Sequence, residues 1–260
     1  MITVTSAELN TWIAMLLWPA ARILGLIAVA PLFGNIAIPA RVKLGLGIAL
    51  AIVIAPNVPP GPATDPASLP GLLILLQQIL IGIAMGFVMR IVFAAIEMAG
   101  EITSLTMGLG FASFYDPQTR ASLSGISQML VMITLVFYLA TNMHLVTISI
   151  LADSFTVLPI GESLTNNQGW LGVAQWGGKI FSAGVQLSLP VVAVLLAANL
   201  SLGILTRAAP QLNLFGIGFP IMLAVGFLML AISIPYLATP LAALLQDGAT
   251  RLLETPASLR

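Results

Sequence analysis

Nine acidic, nine basic and one histidine side chain are all the strongly ionisable groups in 260 residues. Arg22 and Arg90 fall inside apolar runs, where a charge is costly in lipid and needs a partner. Glu97 and Glu101 are one helical turn apart and share a face, and Arg90 and Glu97 are seven apart, also on one face. The four form a candidate buried ion-pair set that fixes helix register, with snorkelling to the interface or ion passage as alternatives. His144, beside Asn142 in TNMHL, is either a titrating group near neutral pH or the satisfied polar end of a helix. Asp153 either caps a helix or relays protons. No Ser/His/Asp arrangement, GxxxxGK or HExxH occurs, and a single histidine without cysteine leaves no zinc-type ligand set. The chain is read as a non-enzyme with no cofactor, no metal site and no catalytic residues.

Those few charges require an unusual scaffold. Charged residues are 7% of the chain and apolar residues 59%, against about 25% charged in average proteins. Such a surface faces lipid, other protein, or both. Net charge is zero, which leaves no basic patch for nucleic acid. The N-terminus lacks the basic segment of a cleavable signal, and the Thr5/Glu8 spacing predicts a helix from about Ser6.

Six apolar runs follow: 12–33, 44–60, 71–96, 126–151, 180–206 and 214–246. A lone span needs about 20 apolar residues. The second run has twelve clean residues before Pro56, the third holds Gln77 and Gln78, and the sixth carries Pro220, Pro235 and Pro240. Missing polar partners must then come from neighbouring protein. The expected fold is all-α: bent, proline-broken helical hairpins in one membrane-embedded unit, residues 1–260. Gly82-xxx-Gly86 marks a close helix contact. Arg41, Lys43, Arg120 and Arg207 on one side against Lys179, Arg251 and Arg260 on the other leave orientation open. Trp170 and Trp176 suit an interface.

The central connection, GEITSLTMGLGFASFYDPQTR, is the least ordinary stretch. Gly108 and Gly110 allow unusual backbone, Phe111, Phe114 and Tyr115 crowd together, and Asp116-Pro117 forms a turn. This is either a tight turn anchored by aromatics or a plug across a conduit. Met85, Met89 and Met107 are flexible gap fillers, candidates for a soft gasket or for ordinary packing. In RAAPQLNLFGIGFP, Arg207, Pro210, Gln211 and Pro220 form either a hairpin turn or a docking surface.

PLFGNIAIPARVKLGL, GEITSLTMGLGFASFYDPQ, TNMHL, DSFTVLPIG and LSLPVVAVLLAANLSLGILTRAAPQLNLFGIGFP, in that order, resemble the FliR family of flagellar and injectisome export gates. The resemblance implies a fold like a FliP-like part joined to a FliQ-like part. It implies assembly with FliP- and FliQ-like subunits, and an FlhB-like subunit, in the basal body at the bacterial inner membrane. It further implies a closed conduit for unfolded flagellar proteins, largely above the membrane plane. The loop Gly108, Gly110, Phe111, Phe114, Tyr115, Asp116 and Pro117 is then the family's plug. A small-molecule secondary transporter with a midplane site near Gly216, Gly218 and Pro220, or a passive scaffold, are the alternatives.

Overall fold

The computed structural model describes residues 6–62, 64–111, 124–162, 164, 166–208 and 214–260. Among them there is no strand. Nine α-helices occur there: α1 Ser6–Val29, α2 Ala40–Ile54, α3 Leu69–Thr106, α4 Gly125–Ala140, α5 Met143–Val157, α6 Asn167–Trp176, α7 Lys179–Ala208, α8 Leu214–Ser233 and α9 Ala238–Leu259. Four helical segments are long and apolar enough to cross a membrane: Ala40–Asn57, Leu69–Thr106, Asn167–Ala208 and Gly218–Tyr236. The broken pair α4–α5 makes a fifth, and the apolar part of α1, Ile13–Val29, is shorter. This is a helical, multi-pass membrane protein.

Local chemistry sets the helix limits. Asn35 Oδ1 accepts the Ala37 N–H, and Lys43 donates to the Gly34 carbonyl, which ties down the turn between α1 and α2. Pro56 stops α2 in a short 3-10 turn, Ala55–Asn57. Ser68 caps α3 by accepting the Gly71 N–H. Just past the end of α3, Gly108 takes a left-handed φ of 85°. Proline does not break every helix: Pro19, Pro190, Pro220 and Pro256 lie inside α1, α7, α8 and α9.

Two apolar runs divide at the polar and proline positions noted in the sequence. The run 126–151 is not one helix, because Asn142 takes a left-handed φ of 57° between α4 and α5. Asparagine tolerates that backbone better than other residues with a Cβ. The sixth run breaks at Ile234–Tyr236, and α9 continues past it through Gln246, Asp247, Arg251 and Glu254. This polar half of α9 is amphipathic, so its helix escaped a search for apolar runs.

The chain forms two compact units. Unit 1 is Met1–Ile91, Thr141–Gly177 and Gln246–Arg260; unit 2 is Val92–Ala140 and Gly178–Leu245. In unit 1, Trp18, Ile23, Leu26, Ile81, Met85, Leu151, Phe155 and Leu252 are buried. Its α1 and α3 touch backbone to backbone. A Cβ on Gly25 would stand 2.6 Å from the Ile79 carbonyl, one on Gly86 would stand 2.8 Å from the Leu26 carbonyl, and one on Gly82 would overlap the Arg22 carbonyl. The Gly82-xxx-Gly86 spacing therefore marks a real helix crossing. In unit 2, Phe93 meets Tyr138 edge to face at 5.8 Å. Gly100 presses on Ser127, and Gly184 on Met98.

Candidate functional site

Arg22 is completely buried in unit 1. Its Nε donates to Gln78 Oε1 at 2.8 Å. One terminal nitrogen donates to the Ser154 carbonyl at 2.9 Å and to Ser154 Oγ at 3.1 Å, and the other to the Leu158 carbonyl at 2.9 Å. The guanidinium stacks on Phe155, 4.3 Å from the ring centre. The two carbonyls close the C-terminal end of α5, where the helix dipole is negative. Arg22 thus has neutral oxygens and a helix end as partners, in place of the expected Glu97 or Glu101.

The other members of the proposed ion-pair set sit differently. Arg90 is exposed, while Glu97 and Glu101 are half-buried in unit 2. Burial thus does not extend to Arg90, which stands on the outer face of α3. Glu101 accepts the Ser124 N–H at 2.7 Å, and the Glu97 carbonyl accepts the Ser127 hydroxyl at 2.7 Å. Both contacts join the end of α3 to the start of α4.

Of the plug residues, Gly108 and Gly110 are described and Phe111 is placed by its backbone; Phe114, Tyr115, Asp116 and Pro117 lie outside the described residues. The methionines separate. Met85 and Met89 lie in the core of unit 1, and Met107 in unit 2 against Gly226 on α8. Arg207 and Pro220 are exposed on α7 and α8, and Pro210 and Gln211 are outside the described residues. His144 lies in the first turn of α5, and Asp153 is exposed near its end. Trp176 Nε1 donates to the Val88 carbonyl at 3.3 Å, so that ring packs on α3.

Two apolar cavities hold little reactive chemistry. In unit 1, a cavity of about 560 Å³ is lined by Trp18, Pro59, Pro60 and Ile160, with Asp65 as its one carboxylate. In unit 2, a cleft of about 350 Å³ is walled mostly by apolar groups, among them Leu130, Pro190 and Leu241. Among the described residues no cluster of three or more His, Cys, Asp or Glu could hold a metal.

The sequence profile of bacterial export proteins, family 1, matches residues 13–248. This chain belongs to that family. As an export-family protein it is 42% identical to flagellar biosynthetic protein FliR of Pectobacterium carotovorum subsp. carotovorum, across 90% of both chains. It is also 42% identical to FliR of Escherichia coli K12, across 92% of this chain and 91% of the relative. With FliR of Caulobacter vibrioides it shares 30% identity, across 84% and 87% of the two chains.

Sequence reasoning about this export-family chain noted Gln78 only as a polar interruption of an apolar run, and missed Ser154, Ser124 and Ser127. Gln78 carried a signal, as a buried amide in an apolar run that needs a hydrogen-bonding partner. The serines carried none, since small hydroxyls fit helix interiors without comment. The glutamines of α3 now have uses: Gln78 holds Arg22, and Gln77 donates to the Glu162 carbonyl in unit 1.

Proposed function

We propose that residues 1–260 act as one export-gate domain of a flagellar type III secretion apparatus at the bacterial inner membrane. It assembles with FliP- and FliQ-like subunits, and with an FlhB-like subunit, around a path for unfolded flagellar proteins. Its own part is binding and obstruction, without chemistry. The observation that carries this reading is the family match from residue 13 to residue 248, nearly the whole chain.

Polar groups inside the apolar helices, expected to find partners on neighbouring protein, are met from within the chain at Arg22, Gln77 and Ser127, so they do not themselves call for sister subunits. Large apolar side chains instead point outward, with Leu200 71% and Ile204 72% exposed on α7. Their cover must be lipid or sister subunits. Gly108 to Pro117 is the proposed plug, Met85, Met89 and Met107 the proposed soft seal, and Arg207 to Pro220 the proposed docking turn.

The test is co-purification after co-expression with FliP- and FliQ-like subunits, followed by leak measurements in liposomes. A stable multi-subunit particle is expected, and removal of Gly110 to Asp116 is expected to make it leak ions. Isolation of the chain as a lone, well-behaved protomer would overturn the assembly. An unchanged leak from an intact particle would overturn the plug.

A further inference from the structure

The start of α4 is capped in part by a residue from another helix. Ser124 caps α4 with its own oxygens: Oγ accepts the Ser127 N–H at 3.2 Å, and its carbonyl accepts the Gln128 N–H at 3.0 Å. In a capping box, a Glu or Gln at the third helical position returns the favour by accepting the cap residue's own N–H. Here that position is Ser127, whose side chain is too short to reach back. Its hydroxyl donates instead to the Glu97 carbonyl on α3. The Ser124 N–H then goes to Glu101 Oε1, 23 residues earlier in the sequence.

Three contacts bind the same place. Glu101 holds the Ser124 N–H, Ser127 holds the Glu97 carbonyl, and Gly100 brings the two backbones together, since a Cβ there would meet Ser127 Cα. A fourth anchors the other end of the junction. Met107, the last residue before Gly108, is fully buried, and a Cβ on Gly226 would stand 2.7 Å from its sulfur. All belong to unit 2.

We infer that Glu101 is a positioning residue that completes the N-terminal cap of α4 from α3, and so fixes the start of α4 against the end of α3. A carboxylate suits the task. It is an acceptor only, it makes a charge-assisted bond to a backbone N–H, and it lies at the positive end of α4. The consequence for gate tightness rests on the plug reading above; the capping itself does not.

Two measurements on Glu101→Ala and Glu101→Gln test this. The first is amide hydrogen exchange at Gly125 to Gln128 in the detergent-solubilised full chain. Loss of a charge-assisted bond is expected to speed exchange there about tenfold in Glu101→Ala, and less in Glu101→Gln, which keeps an acceptor oxygen. Unchanged exchange in Glu101→Ala overturns the inference. The second is ion leak of the assembled complex in liposomes beside the Gly110–Asp116 deletion. Increased leak in both, with Glu101→Gln intermediate and particle yield retained, supports Glu101 as the element that seats the plug. Leak in the deletion alone refutes its part in tightness and leaves the plug standing. Leak in neither refutes the plug, while the exchange result still decides the cap. If Glu101→Ala fails to assemble, Glu101→Gln carries both measurements.

Discussion

Replacing Arg22 with methionine tests how a buried cation survives without a counter-charge. The guanidinium makes four hydrogen bonds and one aromatic stack, and it is fully buried. Burying such an ion costs several kcal/mol, and hydrogen bonds to a charged group return roughly 1.5–3 kcal/mol each. Methionine fills the stem's volume and removes the desolvation cost, so the outcome turns on the acceptors left behind. The Ser154 carbonyl keeps the Leu158 N–H, and Ser154 Oγ still donates to the Leu151 carbonyl. Gln78 Oε1 and the Leu158 carbonyl lose the only donors seen for them among the described contacts. Two stranded acceptors, at roughly 1–3 kcal/mol each, give an expected loss of about 3 kcal/mol for Arg22→Met. Adding Gln78→Leu removes one of them and recovers about 1–2 kcal/mol. The assay is denaturant unfolding of the detergent-solubilised chain, followed by tryptophan emission. A single variant within about 0.5 kcal/mol of the parent, or a double variant no better than the single, refutes this reasoning.

Four further outcomes use the same unfolding assay. Arg90→Met, on an exposed side chain, is expected to cost under about 1 kcal/mol. Gly82→Ala puts a methyl into the Arg22 carbonyl and is expected to cost about 2–3 kcal/mol. At the left-handed Asn142, valine is expected to cost about 2 kcal/mol, whereas glycine is expected to be neutral. Arg260→Ala breaks the 2.7 Å pair with Glu162, which is largely solvent-exposed on the arginine side, and is expected to cost under about 1 kcal/mol.

Much of this was legible in the sequence because the forces behind it are local. Apolar runs locate helices, Pro56 marks the end of α2, and the Gly82/Gly86 spacing marks a crossing. The cost of burying Arg22 also showed that partners must exist. Their identity did not show, because Ser154 and Leu158 lie 132 and 136 residues away and two of the four bonds go to backbone carbonyls, which every residue carries. Matching charge with charge pointed Arg22 to Glu97 or Glu101, whereas the Glu101 carboxylate in the fold serves the α3–α4 junction. The left-handed turn at Asn142 was hidden inside an apolar run, where one backbone angle outweighed continuous hydrophobicity. The Glu101 cap was hidden for a similar reason, since its acceptor belongs to a different helix from the group it satisfies.

The crossing of α1 and α3 has a consequence for genetics. At Gly47 and Gly226 the crowding neighbour is a side chain, Leu24 or Met107, so a trimmed neighbour offers a second-site suppressor for an enlarged glycine. At Gly82 the obstacle is the main-chain oxygen of residue 22, which no codon change can shrink. Every missense allele of Gly82 adds bulk, and none has a compensating partner at the point of contact. Revertants there are expected to be true back-mutations, or changes that move a whole helix.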